Sequence, residues 1–499
     1  MINKTPLYLL LTMALLLSSL ALLTSCNEDN DDDDIYSYSE SIQTTLVTGF
    51  SLQADADVLE SLDSVYFTID YDNGLIYNAD SLPVGTDVSG LKVSVDFLNT
   101  VSSAVFNITG ATQQADTTIN YTTSMTQKID FTGKTILKVT SSDEKLVKDY
   151  EVKVLVHKVN PDSLVWPREW RRDLPGFRYS AIAHKVVMQS DNLYRIMTYN
   201  GIECVLWTAA ALNQGTWDKQ TVNLPFVPQV PSLTAVAGKL YLLDADGTLY
   251  NSTDGVDWAS CGVMWHSILG GYEDRVLGVM KGTDGYYHDE YPRSEDFAVT
   301  QVENGFPVAH SSNMIETSNK WTVSQQSFIV GGIDSDGKML GDVWGYDGSR
   351  WGKINNAHSS ALPALADATL FPYYTYKTLP GVRRYARQST WYIMGGKQAD
   401  GSLNGTIYLS TTQGVTWTKN DTIIVQPSDM TKFYGAQAFV QSETLTATGA
   451  NYLPRRVKAA IDSWECPYIY LFGGYNAQGY LLPYMWRGVY NRLANYPLY

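Results

Sequence analysis

Three segments of this 499-residue chain share one internal spacing, and that spacing limits the fold more than any other feature. Each opens with an apolar run ending in Gly-Gly: Phe328 to Gly332, Trp391 to Gly396 and Tyr470 to Gly474. An aromatic follows 13 residues after the first glycine in every case, at Trp344, Tyr408 and Trp486. Between doublet and aromatic lies a turn of one form, Asp336-Gly337, Asp400-Gly401 and Gln478-Gly479, with relatives at Asp246-Gly247 and Asp284-Gly285. Glycine tolerates positive φ, so each segment reads as two antiparallel strands joined by a tight turn. A recurring unit of this kind means a repeat architecture, because one unit cannot bury its apolar face alone.

Two further elements recur. Asn251 to Trp258 aligns with Ser410 to Trp417, and Gly348 to Trp351 is a shorter version. Units open at Tyr179-Ser180, Pro231-Ser232, His266-Ser267 and His310-Ser311. A strand, a glycine turn, an aromatic strand and a closing Trp match a four-stranded propeller blade. Closing aromatics at Trp217, Trp258, Phe297, Trp351 and Trp417 mark five outer strands. A sixth unit begins near Ala436, and its outer strand is expected from Glu169 to Pro175, which resembles Trp217 to Pro225. Such a closing strand would cover sheet edges that otherwise invite pairing with other chains. The expected fold of 159–499 is a six-bladed β-propeller closed by an N-terminal strand.

Residues 38–158 read as a separate all-β module. Alternating runs appear at Val65 to Ile69, Leu91 to Val95 and Tyr150 to Val156, broken by turns such as Asp72-Asn73-Gly74. Several short strands in a segment of this length point to an immunoglobulin-like β-sandwich. Asn160-Pro161-Asp162 reads as the linker. The 34 Tyr and 13 Trp suit a strand-rich chain, since aromatics pack well on pleated surfaces.

At the N-terminus, Lys4 precedes an apolar run from Leu7 to Leu23, which is followed by small residues and Cys26. This is the pattern of a signal peptide, residues 1–25, and the run is short for a membrane-spanning helix. Glu28, Asp29 and Asp31 to Asp34 then make 26–37 an acidic stretch that cannot bury apolar area, hence a solvated tether. The formal charge of −16 argues against a nucleic-acid partner, which needs a basic face.

These residues carry resemblances. Leu23-Thr24-Ser25-Cys26 resembles the lipobox of bacterial lipoproteins, which implies lipidation at Cys26 and a membrane partner through the lipid. An acidic run directly after that cysteine resembles the surface-export signal of Bacteroidetes lipoproteins; a plain spacer is the alternative reading. The His-Ser openings, Gly-Gly doublets and spaced Tyr and Trp resemble Kelch repeats. Ser410 to Trp417 resembles the Asp-box of sialidase-like propellers, with Thr412 where that motif has Asp. Together they cover about 163–499, densely in the last three units and loosely in the first three. The whole layout resembles Bacteroidetes surface lipoproteins of unknown function that join a sandwich to a Kelch-like propeller.

None of the repeated motifs is catalytic in itself, and no catalytic residue, cofactor or metal site is assigned. Asp334 to Gly337 reads as a turn, because Gly345 stands where a calcium loop of the EF-hand kind places its bidentate Glu. Cys204, Cys261 and Cys466 are odd in number and irregular in spacing, which fits inert thiols. His266 and His310 fall where strands nearest a channel would start, as structural or pore-lining residues. The candidate binding residues lie in insertions between the first and second strands of the last three units, which should emerge on one face. They are Trp321; Tyr373, Tyr374, Tyr376, Arg383, Arg384 and Arg387; and Tyr452, Arg455, Arg456 and Trp464. Long loops on a rigid scaffold often carry binding, and Tyr, Trp and Arg can stack on sugars or anchor proteins.

The leading functional expectation is a non-catalytic surface protein, on the exterior of the outer membrane, that binds a glycan or a protein. The resemblances also imply two alternatives. One is a carbohydrate-active enzyme of sialidase or sialic-acid-epimerase type; the other is a structural partner in an outer-membrane uptake complex.

Overall fold

Alternation in sequence becomes alternation of burial. Along Lys134–Ser141 every second side chain, from Thr135 through Leu137 and Val139 to Ser141, is buried. The computed structural model describes residues 44–112, 115–175, 182–190, 193–318, 323–355, 362–378, 385–419, 422–446 and 463–494. In its N-terminal part six strands pair in the order Thr68–Asp70, Leu75–Tyr77, Val147–Lys153, Lys134–Ser141, Val101–Thr109, Thr117–Asn120. All pairings are antiparallel except that of Leu75–Tyr77 with Val147–Lys153. A two-stranded ribbon, Val47–Leu52 with Val93–Phe97, shares one core with this sheet. Phe50, Leu52, Val93 and Val95 meet Phe106, Leu137, Val139 and Tyr150 there. The two layers are thus unequal. The strand expected from Val65 begins at Thr68, since residues 65–67, after a 3-10 turn at Leu62–Ser64, make no ladder pairing.

The repeats form six sheets. Five consist of four consecutive strands each, within 183–222, 234–264, 267–301, 315–353 and 369–419. The sixth holds Gln437–Thr446, Ser463–Phe472 and Tyr484–Tyr490, and its outer place is taken by Arg172–Asp173, paired with Met485 and Tyr484. Leu164–Val165 adds a second pairing, at Tyr490 and Val489. The first strands are Ala183–Met188, Thr234–Val236, Ser267–Tyr272, Ile315–Ser318, Thr369–Thr378 and Gln437–Thr446. They touch in cyclic order, the sixth against the first, so the sheets close into a ring. The aromatics Trp217, Trp258 and Trp417 stand immediately before the outer strands of their sheets, and Trp351 begins one.

Neighbouring first strands do not form a common ladder, so side chains join them to backbone across the seams. Asn313 Nδ2 donates to the Leu370 carbonyl (2.7 Å) while its Oδ1 accepts the Leu370 amide (3.0 Å). Thr369 Oγ1 donates to the Ala436 carbonyl at 2.8 Å, and Gln437 Oε1 accepts the Val186 amide at 3.2 Å, which joins the last sheet to the first. The glycine doublets serve the same seams. A Cβ on Gly331 would collide with the Leu365 carbonyl, one on Gly395 with Phe433, and one on Gly473 with the His184 ring. In each case the obstacle belongs to the next sheet around the ring, and all three glycines have positive φ.

The closing motif explains its own variation. In Asn251 to Trp258 the Asp254 carboxylate accepts the amides of Val256 (2.8 Å) and Asp257 (3.0 Å), and Trp258 Nε1 donates to the Gly255 carbonyl at 3.0 Å. In Ser410 to Trp417 the Thr412 hydroxyl accepts the Thr416 amide at 2.9 Å, and Trp417 Nε1 donates to the Gly414 carbonyl at 3.1 Å. The turn acceptor thus shifts by one position, from the Asp254 carboxylate to the hydroxyl of Thr412, which aligns with Thr253. Trp417 is fully buried against Val343 and Trp391. The Asp334 carboxylate likewise accepts the amides of Asp336 and Lys338, so it closes a turn.

Candidate functional site

The ring encloses a cavity of about 760 Å³, lined from the first strands of five sheets and, in the fifth, from Asp367 and Ala368 just before that strand. The repeat delivers the residues at its mouth. The residue after each Gly-Gly doublet, Ile333, Lys397 or Tyr475, bridges to a residue shortly before a first strand: Ala309, six residues ahead, or Ala366 and Tyr434, three ahead. The next positions, His310, Asp367 and Gly435, all have left-handed backbone, with φ of 57°, 54° and 66°. A relay of hydrogen bonds runs through them across two seams. The Asp367 amide donates to the His310 carbonyl, and the Gly435 amide to the Asp367 carbonyl, both at 2.8 Å.

Charge gathers at this mouth. His310 Nδ1 lies 2.9 and 3.1 Å from the two Asp367 oxygens, and Lys397 Nζ is 3.8 Å from one of them. The Asp367 hydrogen bond raises the His310 pKa above its ordinary value, against the opposing effects of burial and Lys397. Lys397 Nζ also stands 3.8 Å from the centre of the Tyr434 ring, which stacks on Tyr475 at 5.3 Å and 22°. Tyr475 in turn packs against His184 at 6.0 Å. Lys397, Tyr434, Tyr475 and His184 form one layered stack from rim to wall.

Deeper in, burial governs. It lowers the His184 pKa to about 3, assisted by the neighbouring Lys185. It lowers that of Lys185 as well, partly offset by Asp367. Desolvation also lowers His266 and raises Glu316, whose carboxylate accepts Gln325 Nε2 at 2.7 Å. These groups suit a polar ligand. Among the described residues no group of three or more His, Cys, Asp or Glu is placed to hold a metal ion.

The insertions occupy the other end of the ring. His310, Asp367 and Gly435 precede the first strands, whereas the fifth and sixth hairpins run away from them as far as Thr378–Tyr385 and Thr446–Ser463. Tyr373 is buried, donates its hydroxyl to the Pro467 carbonyl at 2.6 Å and stacks on Tyr490 at 5.7 Å. It joins the two hairpins and presents no ring to solvent. Tyr374 is half-buried beneath the guanidinium of exposed Arg387, 5.5 Å from its ring centre. Trp464 is half-buried, and its Nε1 donates to the Leu493 carbonyl at 2.7 Å. Trp321, Arg383, Arg384, Tyr452, Arg455 and Arg456, the Tyr376 side chain, and Cys26 with its tether all lie outside the described residues. Of the cysteines, Cys204 and Cys466 are buried and Cys261 half-buried; desolvation raises their pKa, to about 12 and about 11 for the first two.

Both histidines singled out by position, His266 and His310, line the cavity. Lys185, Asp367, Lys397, Tyr434 and Tyr475 were not singled out. A signal existed for two of them: Ile333, Lys397 and Tyr475 fill the same place after Gly-Gly with unlike chemistry, which marks a position free of the repeat's own needs.

Comparison with known proteins gives the following. The family model of the DUF6242 β-propeller domain matches residues 160–497, and that of the DUF6242 N-terminal domain matches residues 36–154. The chain has no match among curated proteins. Similar solved structures include the N-terminal domain of Nup159, at 11% identity and a TM-score of 0.32, covering 66% of this chain and 96% of that one. YCF48 bound to D1 peptide is similar at 12% identity and 0.30, covering 71% and 89%. The α-L-arabinofuranosidase Arb93A from Fusarium graminearum is similar at 11% and 0.31, covering 66% and 99%. At these scores none of them speaks to what this chain binds.

Proposed function

The chain belongs to the DUF6242 family, with its N-terminal domain and its β-propeller domain, and on that premise we propose that it is a surface-displayed binding protein whose propeller takes a glycan into its axial cavity without turning it over. In this reading Cys26 carries the lipid, the acidic tether leads out from the outer membrane, and an immunoglobulin-like sandwich spaces a six-bladed, Kelch-like propeller from the surface. The carrying observation is the cavity of about 760 Å³, with His310, Asp367 and Lys397 gathered at its mouth. Its size falls in the range of small-molecule sites.

Two features support binding over turnover. Asp367 is engaged by His310 and Lys397, so this carboxylate does not stand free as an acid or base. No arginine lines the cavity among the described residues, whereas sialidase-like chemistry calls for an arginine cluster.

The test is a glycan array probed with the full chain and with Ser311→Trp, which places an indole at the cavity mouth. Array signals that Ser311→Trp removes, with the sugars recovered intact, are the expected result. Signals indifferent to Ser311→Trp would move the site out of the cavity, and a released product would make the protein an enzyme.

A further inference from the structure

The cavity wall carries a lysine that has no ion-pair partner among the described residues. Lys185 lies on the first strand of the first sheet, lines the cavity and is half-buried. Among the described residues its ammonium has no ion-pair partner within 4 Å. Asp367 is the carboxylate that acts on it electrostatically, yet that group already receives His310 at 2.9 Å and Lys397 at 3.8 Å. The other lining carboxylate, Glu316, accepts Gln325 Nε2. Around Asp367 three basic side chains therefore meet one acid, in a chain whose formal charge is −16. The ammonium stands on the cavity wall, where a methionine or leucine would fill the same strand position without bringing a charge.

The backbone at the mouth points the same way. Left-handed φ is strained at non-glycine residues and persists where the surroundings over-determine it. The sixth sheet uses Gly435 at this repeat position, which meets the backbone demand at no steric cost. The fourth and fifth sheets place His310 and Asp367 there instead. The backbone alone does not ask for these two side chains, and His310 together with Lys397 engages the Asp367 carboxylate that would otherwise be free for Lys185.

We infer that the ligand of this cavity is a saccharide bearing a carboxylate, whose single negative charge is met by the Lys185 ammonium. This deepens the glycan-binding reading and rests on it. One unbalanced ammonium matches a monoanion, and the imidazole of His266 on the third sheet offers a further polar contact. The titratable groups facing the ligand are His184, Lys185, His266, His310, Glu316, Asp367, Lys397, Tyr434 and Tyr475.

The experiment measures binding of glucuronate, galacturonate, glucose, galactose and inorganic phosphate to the full chain in detergent, by calorimetry at low and high salt. The uronates are expected to bind at least about tenfold more tightly than the neutral sugars, with the advantage shrinking in salt. Lys185→Gln is expected to abolish the advantage and Lys185→Arg to keep most of it. Lys397→Gln, at the rim, weakens uronate binding in the same direction and serves if Lys185→Gln fails to fold. Equal affinity for acidic and neutral sugars, an advantage that survives Lys185→Gln, or stronger binding of phosphate would each overturn the assignment. Neutral-sugar binding that Ser311→Trp blocks but Lys185→Gln ignores would sink only the acidic class. Absence of binding to every glycan would remove the parent reading with it.

Discussion

The two ends of the ring are built on opposite plans. At the cavity mouth the chain repeats itself closely: the glycine doublet, the bridging residue and the left-handed position recur, and only side-chain identity changes. At the far end the chain departs from the repeat, with ten-residue hairpin strands in the fifth and sixth sheets and four- to six-residue first strands in most others. A fixed backbone with varied side chains places chemistry accurately, because each new group starts from a known position. A varied backbone yields surface area, but its aromatics are first consumed in holding the longer hairpins together. Tyr373 shows this; it reads as a loop aromatic in sequence and is a core residue in space.

The largest effect expected on this contrast is at the far end. Tyr373→Ala should cost about 3–5 kcal/mol, the usual range for deleting a buried aromatic, measured by urea unfolding. A loss below about 1 kcal/mol would mean that Tyr373 does not join the hairpins. At the mouth, Gly473→Ala forces a Cβ towards His184 at φ 52° and should cost about 1–3 kcal/mol. An unchanged midpoint would show that the sixth and first sheets do not approach as closely as described.

A third outcome separates the ends by pH. His184 is buried and neutral, with its pKa lowered from 6.5 to about 3. The unfolded chain therefore takes up this proton first, so the stability is present above about 6.5 and is lost as pH falls towards 3. Replacing it, as in His184→Leu, should flatten the stability profile between those values, whereas Tyr374→Ala should leave the slope alone. Parallel profiles for wild type and His184→Leu would remove the buried neutral imidazole from the account. The smallest effect is that of Tyr374→Ala itself, which loses a cation–π contact worth about 0.5–1 kcal/mol at an exposed site. Glycan binding should survive it; loss of array signal in the folded variant would shift the site to the hairpin end.

Much of the fold was legible because turns and seams impose local rules. Gly331, Gly395 and Gly473 announce close approach, Trp258 and Trp417 announce the closing turn, and the Glu169 to Pro175 segment contains the strand Arg172–Asp173 that pairs with the last sheet. The N-terminal strands have starts displaced by up to three residues, at Thr68, Val93 and Val147, since apolar alternation marks a strand's interior better than the point where its ladder begins. The candidate site was less legible. Insertions rich in Tyr and Arg drew notice by composition, while Lys397 and Tyr475 stood in plain register and Lys185 sat in an ordinary strand.

Sequence alone determined the repeat, its turn chemistry and hence the strands, because those depend on φ preferences and apolar alternation within a few residues. Tertiary structure alone decided which charges meet. His310 and Asp367 lie 57 residues apart and become partners only because the ring sets adjacent sheets at one spacing. Whether the Lys185 ammonium finds a counter-charge is likewise settled by what stands across the cavity, and no local rule of the chain records that distance.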